Sequence, residues 1–91
     1  MNLIQFTCRK THVDKIRKYL SMNEIDYYSK GLVFHVLSER SVEDLEKNIL
    51  NFLKLYGVNR VKPIYSLTLV FTDCSKEFFA KLKAKDIGDS L

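Results

Sequence analysis

A single proline, three glycines, two cysteines and no tryptophan in 91 residues exclude several kinds of protein at once. With so few flexible or breaking residues there is no linker and no low-complexity tract, so residues 1–91 read as one domain. Cys8 and Cys74 cannot build a disulfide framework, and neither belongs to a C-x-x-C pair; buried thiols are the expectation. The most apolar stretch, residues 64–72, is broken by Ser66 and Thr68 and is far shorter than the ~18 residues a membrane span requires. No membrane partner is therefore expected. The opening MNLIQFTCRK places its charges after its apolar residues and has no small-residue cleavage site. It reads as a first strand, not a signal peptide, and the expected compartment is the cytoplasm.

Recognisable catalytic machinery is equally scarce. The only histidines are His12 and His35, and neither has a partner at a metal-ligand spacing. There is no glycine-rich phosphate loop and no G-x-S-x-G elbow. No catalytic residue, metal site or cofactor is expected, and the chain does not read as an enzyme. Asp26 and His35 are the one pair placed to share a proton, and they read as a cross-strand polar pair.

What the sequence does contain is ordinary globular composition, 46% hydrophobic and 29% charged, with a net charge of +4. Residues 3–8 alternate as a strand, with Ile4, Phe6 and Cys8 on one face. A helix to about Met22 follows, with Thr11 as N-cap, Asp14 in the first turn and a buried stripe of Val13, Ile16 and Leu20 helped by Tyr19. Residues 24–29 and 32–38 form a hairpin turning at Lys30-Gly31, which pairs Tyr27 with Phe34 and Asp26 with His35. Ser41 caps a second helix whose stripe is Val42, Leu45, Ile49, Phe52, Leu53 and Tyr56, and Gly57 ends it. Residues 59–72 are extended, with Pro63 marking an edge or a break and Leu67, Leu69 and Phe71 alternating with Ser66, Thr68 and Val70. A short helix over about 75–85 closes the chain. The order β-α-β-β-α-β predicts an α+β, ferredoxin-like antiparallel sheet with two helices on one face and a short C-terminal helix, the first and third strands side by side in the centre.

Two surfaces then suggest themselves. Residues 9–18 carry Arg9, Lys10, Lys15, Arg17 and Lys18 against Asp14 alone. If both main helices start at one end of the sheet, Arg9, Lys10, His12, Arg40 and Arg60 converge there around two sets of unpaired helix N–H groups. Nucleic acid or another polyanion is the expected partner of that end, with Glu24 and Glu39 partly offsetting it. The other surface is the sheet face opposite the helices. Tyr28, Val33 and Leu37, with Leu3, would form an apolar patch there, fitting a homodimer or another protein partner unless the last helix covers it.

Two resemblances accompany these readings. Lys30-Gly31-Leu32-Val33-Phe34 resembles the opening of the RNA-recognition-motif signature, with Leu32 and Leu37 in place of aromatics and Val33 in place of a small residue. In length and strand order the chain also looks like the small CRISPR-associated metal-dependent nucleases. Thr7 and Cys8 stand where that family carries an aspartate, which implies no metal site here. The leading expectation is a non-catalytic, self-associating binding or regulatory module with a basic, polyanion-binding end. The second is a protein–protein adaptor or inhibitor using the open sheet face, and the third a small hydrolase or degenerate nuclease.

Overall fold

A computed structural model describes residues 1–58 and 62–88. Its elements, in chain order, are β1 (Asn2–Thr7), a single 3-10 turn (Lys10–His12), α1 (Val13–Met22), β2 (Tyr27–Lys30), β3 (Val33–Ser38), α2 (Val42–Lys54), β4 (Ser66–Phe71) and α3 (Lys76–Gly88). The four strands form one antiparallel sheet in the order β2-β3-β1-β4, so β1 and β3 are central, as the sequence order implied.

The sheet carries a core on each face. On one face Ile4, Phe6, Phe34 and Val36 meet Ile16, Tyr19 and Leu20 of α1 and Leu45, Ile49 and Leu53 of α2. Burying each of those large side chains contributes roughly 1.5–3 kcal/mol gross. Phe6 stacks on Phe34 at 5.4 Å between ring centroids, and Tyr19 meets Phe52 edge-on at 5.5 Å. On the other face Leu3, Tyr28 and Leu37 meet Cys74 and Phe79, with Leu82 packed alongside. The last helix therefore covers part of the face expected to be open.

Local chemistry explains the helix limits. Ser41 Oγ accepts the Asp44 N–H at 3.2 Å and starts α2 as expected. After Lys54 the helix ends in a Schellman motif. Val58 N–H donates to Leu53 O at 3.2 Å, Gly57 N–H donates to Lys54 O at 3.1 Å, and Gly57 sits at φ +79°. Tyr56 lies beyond the last α-helical residue and is exposed, so it drops out of the buried stripe. The start of α1 differs from the sequence reading. Thr11 lies inside the 3-10 turn, and His12 occupies the N-cap position without a side-chain capping bond.

The hairpin is offset from its expected register. Lys30 pairs with Val33, leaving Gly31-Leu32 as the two-residue turn. Gly31 takes φ +61° and Leu32 does not take a positive φ, the pattern of a type II′ turn with glycine first. Tyr27 therefore opposes Val36, and Tyr28 opposes His35. The residues of the hairpin strands keep their expected faces, because the offset moves each partner by two positions.

β4 also breaks its expected alternation. Gln5 pairs with Leu69 and Phe6 with Leu67, so Thr68 is the extra residue of a β-bulge. Leu67 and Val70 thus share the face of α1 and α2, through Phe6 and Ile4, while Leu69 and Phe71 share the α3 face, through Gln5 and Leu3.

Candidate functional site

β1 and β3 are neighbours and antiparallel: Thr7 pairs with Val33, and Asn2 with Ser38. Their C-terminal ends therefore lie at opposite ends of the sheet, and so do the helices that follow them. This corrects the expected clustering of the cationic residues. Arg9 and Lys10 follow Thr7 at one end. Arg40 lies at the other, where the Asn2 side chain donates to the Arg40 carbonyl at 3.1 Å. Arg40 lines an open cleft of about 790 Å³ there, together with Glu24, Asp26, Glu39 and Lys76. Three carboxylates to two cations make that end mixed in charge. Arg60 lies outside the described residues.

His12 stands at the correct end but is buried, 6% exposed, and its Nδ1 has no hydrogen-bond partner among the described residues. Burial, reinforced by Lys15 and Arg9, lowers its pKa from 6.5, so it adds no charge near neutrality. Of the expected set, among the described residues, Arg9 and Lys10 alone come together as exposed cations.

What does gather at that end is a set of cation–aromatic contacts. The Arg9 guanidinium lies 5.8 Å from the centroid of Tyr65, whose N–H donates to Thr7 O at 2.8 Å and so seats the ring beside the end of β1. Because α2 runs toward this end, Tyr56 at its C-terminus meets α1. Lys15 and Lys18 lie 5.7 and 5.8 Å from the Tyr56 centroid. Arg17 belongs to the framework instead, donating through Nε to Ser29 Oγ of β2 at 3.0 Å. The site is thus Arg9, Lys10, Lys15 and Lys18 with Tyr56 and Tyr65. Tyr65 is 69% exposed. Sequence reasoning missed both tyrosines. The sequence pattern puts Tyr56 in the buried helix stripe and Tyr65 in an extended segment with no site attached. The available signal was that each lies just outside a regular element, where an apolar stripe no longer holds it inward.

The Asp26–His35 pair does not form. His35 opposes Tyr28 and stacks on it at 4.2 Å, while the Asp26 carbonyl accepts the Leu37 N–H at 2.9 Å. The Tyr28 hydroxyl donates to Asp86 Oδ2 of α3. Burial first, and then the bond and charge of Asp86, push the tyrosine pKa up. Burial lowers the pKa of His35, with Asp86 opposing. Tyr28 (4% exposed) and Leu37 (2%) are covered by α3 and cannot form the expected open interface; Val33 is half-buried. Phe34 faces α1 and α2, where it cannot stack on a base.

Among the described residues no group of three potential metal ligands occurs, and no helix is long and apolar enough to cross a membrane. Cys8 and Cys74 are buried free thiols on opposite faces of the sheet. Comparison with protein-family models, curated proteins and solved structures finds no match to this chain.

Proposed function

We propose that this chain is a non-catalytic binding module that takes a single-stranded, phosphate-bearing polymer on the end formed by Arg9, Lys10, Lys15 and Lys18. The observation that carries this reading is the pairing of those cations with Tyr65 and Tyr56. Cations track phosphates, and an exposed ring offers a stacking surface to any base. At that end Asp14 is the one acidic residue of the 9–18 segment. A ferredoxin-like arrangement is our reading of the architecture, supported by the β2-β3-β1-β4 order with antiparallel neighbours. Two free thiols fit a reducing, cytoplasmic setting.

The adaptor reading through Tyr28, Val33 and Leu37 loses support because α3 occupies that face. The enzyme reading loses its one candidate pair because Asp26 and His35 do not meet.

The test is fluorescence anisotropy with single-stranded oligonucleotides at low and moderate salt. Replacing Arg9, Lys10, Lys15 and Lys18 together by alanine should abolish binding. Tyr65→Ala should weaken it by roughly 1–3 kcal/mol, the usual worth of one base stacked on an aromatic ring. Arg40→Ala, at the opposite end, should leave it unchanged. Binding that is absent, or that survives the quadruple substitution, overturns the reading.

A further inference from the structure

We propose that a second copy of this chain pairs with the outer edge of β4, antiparallel and about a two-fold axis near Thr68 and Leu69. β4 ends the sheet, so among the described residues no strand pairs with its outer edge. A row of unpaired N–H and C=O groups along such an edge is a template for another strand.

Edge strands are ordinarily guarded by charge, proline, shortness or a covering segment. No charged residue and no proline lies between Pro63 and Asp73, the strand is six residues long, and all six are exposed. Among the described residues the bulge at Thr68 is the one guard present. It also turns apolar side chains to both faces, Leu67 and Val70 to one and Leu69 and Phe71 to the other. At about 150–250 Å² per aromatic side chain, Tyr65 (69% exposed) and Phe71 (49%) offer roughly 180–300 Å² between them. Leu67, Leu69 and Val70, each 41–48% exposed, raise the offer toward the ~600 Å² per partner at which specific interfaces begin.

Charge identifies the partner as a second copy in antiparallel register. β4 is bracketed by Tyr65, which carries Arg9 over its ring, at its start, and by Asp73 just beyond its end. Antiparallel self-pairing sets Asp73 of each copy beside Arg9 of the other, twice about the two-fold. Parallel pairing would align like with like. Self-pairing also opposes identical residues near the axis, and here those carry no charge to repel. The contact is isologous and closes on itself, giving a dimer and not a filament.

Sedimentation velocity over a dilution series tests this, with amide hydrogen exchange of β4 as a second reading. The expected result is a monomer–dimer equilibrium, with exchange at residues 68–71 slowed at least tenfold in the dimer. Leu69→Lys should give a folded monomer, checked by circular dichroism, because two ammonium groups then face each other near the axis. Asp73→Asn, which also tolerates the positive φ at that position, should weaken the dimer severalfold at low salt and less at high salt. A chain that stays monomeric at about 100 µM overturns the proposal. So does a dimer indifferent to Leu69→Lys, or open-ended association. The dimer draws on Tyr65 and Arg9, which the polymer site also uses, so the two contacts compete for that end. Oligomeric state is therefore read without any polyanion, and its result stands apart from the function proposed above.

Discussion

At the scale of single residues, His12 is buried and His35 half-buried, and the charged forms of both are disfavoured. Burial lowers His12 and His35 from 6.5; Lys15 and Arg9 push His12 further, while Asp86 partly opposes the shift at His35. A lowered folded-state pKa means that the unfolded chain binds protons first as pH falls. The histidine contribution to stability is therefore complete above pH ~7 and is lost as pH drops through the unfolded value of ~6.5 toward the folded ones. Thermal unfolding followed from pH 7.5 to 5 should show a falling midpoint, and His12→Gln with His35→Gln should flatten that slope. Tyr28 offers a second test. Its hydroxyl ties α3 to the sheet through Asp86, and Tyr28→Phe leaves a part-buried carboxylate short of one donor. A loss of about 1–3 kcal/mol in urea unfolding is expected, the cost of an unsatisfied charged acceptor. Neither role was legible from sequence. A glycine in the second turn position would set His35 opposite Asp26, whereas Gly31 takes the first.

At the scale of elements, α1 and α2 end in the same motif with different residues. After α1, Ile25 N–H donates to Leu20 O at 2.9 Å and Glu24 N–H to Ser21 O at 3.2 Å, with Glu24 at φ +54°. After α2, Gly57 fills the equivalent place at φ +79°. A side chain in that conformation costs about 1–2 kcal/mol, and glycine returns part of the gain through its greater chain entropy. Glu24→Gly should accordingly stabilise by about 0.5–1 kcal/mol, and Gly57→Ala should destabilise by about 1 kcal/mol. Chemical denaturation measures both, and equal effects of the same sign would refute the shared-motif argument. The contrast also shows why some elements could be read and others could not. Alternation in β1 and β3 and the stripes of α1 and α2 are periodic signals, and they placed the core of one face correctly. The end of α2 was marked by a glycine; the end of α1 had no mark. The bulge in β4 inserts one residue into an alternation that otherwise looks regular, and nothing in Ser66–Phe71 announces it. α3 buries Phe79 and leaves Phe78 exposed, a choice set by the sheet beneath and not by adjacent phenylalanines.

At the scale of the whole molecule, charge is divided between two ends. The strands' antiparallel order puts the start of α1 and the end of α2 together, so one end collects Arg9, Lys10, Lys15 and Lys18 around Tyr56 and Tyr65. The other collects Glu24, Asp26 and Glu39 with Arg40 and Lys76. The basic run was visible in sequence, but its grouping with Arg40 failed because adjacent antiparallel strands cannot finish at the same end. This polarity sets a quantitative expectation. Four cations meeting the phosphates of a single strand should give a log–log dependence of affinity on salt with a slope near −3, at about −0.7 per phosphate neutralised. Each lysine changed to alanine should reduce that slope by roughly 0.7, while Arg40→Ala should leave it where it was. A slope near zero would mean that the cations at this end meet solvent alone. A slope reduced equally by Arg40→Ala would mean that the polymer reads net charge, and the tyrosines would then have no part in where it binds.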